Sequence, residues 1–411
     1  MRQPFILLED LEAGSAKLYE RPTEILTAST VAEMDAALIR ADERIAAGQH
    51  IAGWLGYEAG YALEPRLHCH IEDRWDRSAL LRLFACDAPA TMAVEAVDRW
   101  LAETIDREAH LDALRPAISF DDYAAAFRRV KEAIAAGDIY QANLTFPLRG
   151  RWHGDPLALY RAIRPEAQAW FGGLVFDGHD WLLSFSPELF FSLRGDRVGV
   201  RPMKGTRPRG ADPASDADYA RELAESVKDR AENLMIVDLM RNDLSRISRS
   251  GTVRVDELFR VERYPTLFQM TTGVSSRLDG APSMSRIMRA MFPCGSITGA
   301  PKVRAMEIIH DVETWRRGPY CGAIGAFAGP AADSSGDEGG WEARFNVAIR
   351  TLRLKPGSDG QSGEAIFGVG SGIVADSVLE EEWEECLLKA RFIARGLTRK
   401  LTGQAPLSGA A

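Results

Sequence analysis

The chain has 411 residues, 46% hydrophobic and 27% charged, which suits an ordinary globular protein with a large core or two to three domains. Its formal net charge of -9 argues against nucleic acid or an anionic membrane as the main partner, but allows a local basic pocket for a small anion. Five cysteines without a Cys-x-x-Cys pair argue against a disulfide framework and a structural zinc site, and His68-Cys69-His70 lacks a second ligand group at useful spacing.

The first residues hold too short an apolar run for a secretion signal, and no stretch approaches the ~18 apolar residues of a membrane span, so a cytoplasmic location is expected. Residues 1–115 mix short strands with helical runs such as Val31–Ala46. Pro116 marks a boundary before a second region, 116–401, and residues 402–411 read as a frayed tail of small residues.

Ser119 and Asp122 cap a helix with Phe127, Val130 and Ile134 on one face, and Gly137 stops it. The next strand alternates, with Gln141, Asn143 and Thr145 on one side and Tyr140, Ala142, Leu144 and Phe146 on the other. A polar strand face of that kind looks into water or a ligand. Further strands are predicted at 169–176, 181–185, 189–193 and 198–202, the last pair turned by Gly195-Asp196.

Lys204 follows in Pro202-Met-Lys-Gly-Thr-Arg-Pro-Arg209, where proline and glycine predict a short stiff turn that a ligand can approach closely. The cations Arg201, Arg207 and Arg209 beside it would disfavour its ammonium form and make the amine a candidate nucleophile; the alternative is a solvated basic hairpin tip. A long helix is predicted from about 218 to 247, with Glu225, Asp229 and Glu232 forming an acidic stripe. Strands are predicted at 252–259 and 267–274, then a helix at 283–291. The Gly295-Ser-Ile-Thr-Gly299 segment then leads through Pro301 into a helix over 302–312, a helix entry that attracts anions.

Residues 329–340 and 356–363 read as flexible hairpin tips. Between them a strand sets Phe345, Val347 and Ile349 against Arg344, Asn346, Ala348 and Arg350, and an arginine pointing into a cleft calls for a carboxylate or phosphate. Gly368–Gly372 reads as a backbone-rich turn. A closing helix over about 379–401 carries Glu382, Glu385 and Lys389 on one face and Trp383, Leu387, Ala390 and Ala394 on the buried one.

Seven segments in order resemble the chorismate-utilising enzymes, the family of anthranilate synthase, aminodeoxychorismate synthase, isochorismate synthase and salicylate synthase. They are Gly137-Asp-Ile-Tyr-Gln-Ala-Asn-Leu144, Ser186-Pro-Glu-Leu-Phe190, Pro202–Arg209, Ala231–Asp243, Gly295–Lys302, Arg317-Gly-Pro-Tyr-Cys-Gly322 and Gly370–Ser377. The resemblance implies an α+β fold of large antiparallel β-sheets packed in a sandwich with helices outside. Lysine in the Pro-x-Lys-Gly-Thr turn resembles the aminodeoxychorismate synthase component I branch, and implies Lys204 as a covalent nucleophile with Glu188 as general acid. The implied product is 4-amino-4-deoxychorismate, a precursor for p-aminobenzoate and folate.

The same resemblance implies Mg²⁺ on Glu232 and Glu385, with Asp229 and Glu382 one turn earlier. It implies substrate contacts from Thr206, Ser296, Tyr320, Arg350, Gly370, Gly372 and Lys389. No glutaminase signature is found, so ammonia is expected from a separate glutamine amidotransferase subunit, and no lyase activity is expected of this chain. Anthranilate synthase component I and a catalytically silent chorismate-binding subunit remain the rival readings.

Two residues depart from the family pattern. Gln269 replaces a histidine, so it can position groups but carries no proton-transfer role. Cys294 replaces a glycine. Leu7-Leu8-Glu9 is similar to a segment that helps bind tryptophan in some relatives.

Overall fold

Alternating apolar residues build two antiparallel sheets in the computed structural model, which describes residues 2–72, 78–167, 169–264, 267–330 and 340–402. Among the described residues one sheet has eleven strands, nine in one path with Ala109–Leu111 and Arg115–Pro116 pairing beside Gln141–Gly154, and the other has ten, nine in one path with Arg254–Arg263 pairing beside Leu267–Arg277. Residues 331–339 of the tip expected at 329–340, and 403–411 of the tail expected at 402–411, lie outside the described residues. No helix among those described is long and apolar enough to cross a membrane.

The larger sheet runs from Gly299–Ala300 through Gln141–Gly154, Ser362–Ile373, Thr351–Pro356, Trp181–Ser186, Phe171–Phe176, Phe5–Asp10 and Ser15–Glu20 to Ala90–Ala93. The second runs from Met203–Pro208 through Leu267–Arg277, Arg197–Val200, Leu189–Arg194, Glu342–Val347, Ala323–Ala328, His50–Leu55 and Leu81–Cys86 to Glu24–Ala28. Both sheets therefore take strands from before and after residue 115. Their apolar side chains fill a large core that includes Trp152, Phe185, Phe191, Phe345 and Phe367, and a second, smaller cluster in which Ile6, Val175 and Leu182 of one sheet meet Trp54, Phe84 and Ile324 of the other. Phe191 and Phe345 stack across neighbouring strands with ring centroids 5.2 Å apart. Burying each such ring contributes about 1.5–3 kcal/mol, so this face fixes the strand register.

Twice the chain crosses from one sheet to the other at the same place. Trp181–Ser186 belongs to the larger sheet and Leu189–Arg194 to the smaller, so Pro187 and Glu188 lie on the crossing; residues 348–350 make the return crossing, from Glu342–Val347 to Thr351–Pro356. The two crossings are laced together. Val347 N–H donates to Glu188 O at 3.0 Å, Phe185 N–H to Arg350 O at 3.0 Å, and Ser186 Oγ to Val347 O at 2.6 Å.

Several elements differ from the sequence expectation for identifiable reasons. The long helix splits into Pro213–Glu225 and Val227–Ser245, because Ser226 is extended and its side chain accepts from Asp229 N–H as a new cap. Glu225 thus leaves the acidic stripe. The closing helix divides into Leu379–Leu388 and Arg391–Thr402, with Cys386 and Ile393 buried and Ala394 exposed. Gly368–Gly372 is no turn: it lies within the strand Ser362–Ile373, pairing with 143–147. The strand expected to reach Arg350 ends at Val347, and Arg350 takes φ 49°, a left-handed backbone rare for a bulky residue.

Candidate active site

Lys204 lies not on a hairpin tip but inside the edge strand Met203–Pro208, at a bulge where Gly205 is the extra residue. Gly205 has φ +72°, and a Cβ there would stand 2.8 Å from the Asp229 carboxyl, so glycine is required on both counts. Gln269 pins the bulge: its Nε2 donates to Gly205 O at 2.7 Å and its Oε1 accepts from Thr206 Oγ1 at 2.9 Å. The amide thus positions the lysine turn, and the Thr206 hydroxyl is spent on Gln269.

The arginines expected to crowd Lys204 are paired elsewhere. Arg201 bonds Glu12, Arg207 bonds Glu222 and Asp229, and Arg209 bonds Asp216. They are neither ligand-facing nor an unbalanced cationic field on the amine. Lys204 instead acts electrostatically on two carboxyls, Glu188 and Glu232.

Glu188, at the crossing, is 3% exposed, and its Oε1 has no hydrogen-bond partner. Burial pushes its pKa up to about 7, against the opposing pull of the Ser296 hydroxyl and the Lys204 charge. A carboxyl held there is half protonated near neutrality, the condition for a group that gives and takes a proton. Ser296 is buried on the short turn Gly295–Ile297, beside Cys294.

The floor of the site is the strand pair Gln141–Gly154 and Ser362–Ile373. Gly368, Gly370 and Gly372 fall on one face with Asn143 and Thr145, because antiparallel partners share a face. A Cβ on Gly372 would stand 2.7 Å from Gln141 Nε2 and 3.5 Å from Lys204 Nζ, and one on Gly368 would meet the Tyr320 ring at 2.2 Å. The glycines keep this floor bare, with the Tyr320 ring over Gly368 and the lysine amine beside Gly372.

The polar strand face is only partly open. Asn143 Nδ2 donates to Ile297 O at 3.2 Å, and Thr145 Oγ1 donates to Glu313 Oε1 at 2.9 Å. Gln141 alone among those three is left with both side-chain polar atoms buried and unpaired. The alternation had marked this residue without singling it out from its neighbours.

At the return crossing, the Arg350 guanidinium has no ion pair or side-chain hydrogen bond among the described residues, and burial pushes its pKa down. A half-buried cation without a counter-charge is costly, and an anionic ligand relieves the cost. Arg344, its expected companion, pairs instead with Asp10 and Glu12. Leu8 and Glu9 line a separate cavity of about 120 Å³ with Tyr19, His50 and Arg344, and Glu9 is bonded to Tyr160 and Arg164.

Of the expected metal residues, Glu232 is half-buried. Burial raises its pKa, Lys204 and Lys228 pull it down, and Asp229 and Asp376 push it further up. Asp376 pairs with Lys228 at 3.3 Å, and Glu382 also acts on Lys228, which therefore gathers carboxylates from two helices and a loop. Glu385 is exposed and pairs with Lys389 at 2.7 Å, while Lys389 Nζ also donates to Gly370 O at 2.7 Å. Among the described residues no three His, Cys, Asp or Glu side chains form a ready metal cage. The donor set still suits magnesium, which takes one or two carboxylates and completes its shell with water and ligand oxygens.

Residues not expected to matter hold the site in shape. Arg317 is buried: its NH1 donates to Ile297 O at 3.0 Å, its NH2 to Asn143 O at 2.6 Å, and its fork to Glu313, while it lies 4.2 Å over the Tyr57 ring. Glu58, also buried, accepts from Arg317 N–H at 2.8 Å and Gly318 N–H at 3.0 Å. Together they tie the Ser296 turn and the Gln141 strand to the segment carrying Tyr320. Arg317 was visible in a sequence motif, whereas Glu58 carries no local signal.

A family model described as chorismate binding enzyme matches residues 3–395. Aminodeoxychorismate synthase component 1 of Klebsiella aerogenes is 41% identical over 287 residues, 69% of this chain, which spans 60% of that protein's length. Anthranilate synthase component 1 3 of Haloarcula marismortui is 35% identical over 389 residues, 86% of this chain and 74% of that one. The crystal structure of anthranilate synthase component I from Streptococcus pneumoniae superposes with a TM-score of 0.75 at 22% identity, over 94% of this chain and 93% of that one. This likeness bears out the expected α+β sandwich of antiparallel sheets.

Proposed function

The chain belongs to the chorismate-binding enzymes, and we propose that it is an aminodeoxychorismate synthase component I, making 4-amino-4-deoxychorismate from chorismate and ammonia through a covalent bond to Lys204. The observation that carries the reading is the meeting of Lys204 and Glu188: an amine from the edge of one sheet and a buried carboxyl on the crossing between sheets, each within the other's field.

In this reading the Lys204 amine adds at C2 of the chorismate ring as the ring double bond shifts and the C4 hydroxyl leaves. Glu188 supplies the proton that turns that hydroxyl into water. Ammonia then adds at C4, the double bond shifts back, and the C2–nitrogen bond breaks to free Lys204. Glu188, now a carboxylate, takes a proton from the incoming ammonium centre. Arg350 would hold a substrate carboxylate by its fork, with Ser296, Tyr320, Lys389 and the glycine floor shaping the ring's seat.

Glu232 and Glu385 would hold Mg²⁺, with Asp229 and Glu382 behind them; when bound, the ion would neutralise the ring carboxylate and anchor it. Ammonia would come from a glutamine amidotransferase subunit. Anthranilate synthase is the second reading, favoured by the longer match to the Haloarcula protein.

Product identification separates the two. Purified protein with chorismate, Mg²⁺ and ammonium, and no added lyase, is expected to accumulate a non-fluorescent aminated chorismate seen by mass. Fluorescent anthranilate as the main product would overturn the proposal.

A further inference from the structure

Lys131, half-buried on the helix Phe120–Ala135, reaches a turn that the proposed chemistry does not use. Its Nζ donates to Val374 O at 3.3 Å, to Ser377 O at 3.2 Å and to Ala375 O. An ammonium has three N–H groups, and here one turn takes all three. The turn also closes on itself: Ser377 N–H donates to Val374 O at 3.2 Å, and Val374 N–H to Ser377 Oγ at 3.0 Å. Ala375 and Asp376 are left as its exposed centre.

Asp376 pairs with Lys228 at 3.3 Å, and Lys228 stands one helical turn before Glu232. The turn also leads into the helix Leu379–Leu388 that carries Glu385, and Val378 gives that helix no side-chain cap, so its entry depends on the turn. The helix with Glu232 packs on strands of the second sheet, whereas the helix with Glu385 packs on Ser362–Ile373 of the larger sheet and on Phe120–Ala135. The two glutamates thus sit on helices that rest on different sheets. Their spacing depends on what links the two sides, and the Lys228–Asp376 pair is such a link.

We propose that Lys131 is a positioning residue for the metal site: it holds the Val374–Ser377 turn so that Asp376 meets Lys228 and the carboxyls of Glu232 and Glu385 are presented at one fixed spacing. This rests on the reading of those two glutamates as the Mg²⁺ ligands. An exposed ion pair ordinarily contributes little, because two mobile side chains must be held still. Here the backbone of Asp376 is already held from behind, so the link loses less freedom on forming. Releasing the turn loosens both the partner of Lys228 and the entry of the Glu385 helix. Mg²⁺ demands near-ideal octahedral geometry, so a loosened carboxylate pair binds it less tightly.

The test reads the helix spacing without any metal. Spin labels go on Asp238→Cys and Glu384→Cys, exposed positions on the two helices, in a Cys69→Ser background, since the other cysteines are buried. Double electron–electron resonance is expected to give one narrow distance with Lys131 in place and a broad distribution in Lys131→Met; Lys131→Gln is read in the same way if methionine prevents folding. Mn²⁺ affinity of the unlabelled proteins is measured from the paramagnetic resonance of free Mn²⁺, with chorismate present and ammonium absent. It is expected to fall roughly tenfold in Lys131→Met. A distribution as narrow in the variant as in the parent overturns the proposal. Broadening with unchanged Mn²⁺ affinity supports the positioning of the helices and removes Glu232 and Glu385 as the metal's ligands. Glu232→Gln tests that metal reading alone, and Mn²⁺ bound there as tightly as by the parent removes it while the distance result stands, so the two fail separately.

Discussion

Replacing Glu188 by Gln removes a buried ionisable group whose pKa is pushed up to about 7 from 4.5, and the stability consequence can be worked out. Below about pH 4.5 the carboxyl is protonated in both the folded and unfolded chain and costs nothing. Between about 4.5 and 7 the unfolded chain ionises while the folded one stays protonated, so native stability falls by about 1.4 kcal/mol per pH unit. Above about 7 both are ionised and the loss is complete, on the order of 3 kcal/mol. With about 2.1 cal/mol/K of unfolding entropy per residue over a chain of 411 residues, that is about 3–4 °C in Tm.

Glutamine lacks this slope. Thermal melts of the two proteins in matched buffers should therefore diverge as pH rises from about 5 to about 7, the wild type falling relative to Glu188→Gln by about 3 °C, and then run parallel. Melting curves that stay parallel across that whole range would refute the raised pKa, and with it the dry setting assigned to Glu188.

Arg350→Met should raise KM for chorismate at least tenfold without lowering Tm, because the native cation is half-buried with no counter-charge among the described residues; a lowered Tm with KM unchanged would assign Arg350 to structure instead. Arg317→Met leaves the buried Glu313 carboxylate unpaired and should cost about 3–5 kcal/mol in denaturant unfolding, while Arg317→Met combined with Glu313→Gln should recover part of it. Equal losses in the single and double variants would contradict the pairing. Gly372→Ala places a methyl against Gln141 and near Lys204 Nζ, so steady-state assays should show a fall in kcat with the fold intact by circular dichroism; unchanged kcat would mean that the floor need not be bare there.

Much of the fold was readable because its signals are local. Ser119 and Asp122 form the capping box that their spacing predicts, and the strands from Phe171 to Val200 follow short apolar runs broken by turn residues. The errors arose where tertiary packing overrides a local cue. Five residues rich in glycine look like a turn, yet here glycine is needed because Tyr320, Thr145 and Gln141 approach the strand from above. Good helix formers run through Ser226, yet its hydroxyl caps a new helix.

The site divides in the same way. Lys204, Glu188 and Glu232 were found through motif order, and the structure brings both carboxyls within the electrostatic reach of Lys204. The pairing of Arg201, Arg207 and Arg209 with distant carboxylates could not be read from the segment that contains them. Nor could the Glu58–Arg317 contact, which joins residues 259 apart.

The covalent role of Lys204 is tested most directly by intact mass. The protein is incubated with chorismate and Mg²⁺ without ammonia, quenched, and digested for peptide mapping. The account predicts an adduct of chorismate less one water on the peptide containing Lys204, absent from Lys204→Ala. No adduct in the wild type, together with undiminished formation of 4-amino-4-deoxychorismate by Lys204→Ala when ammonium is supplied, would contradict it.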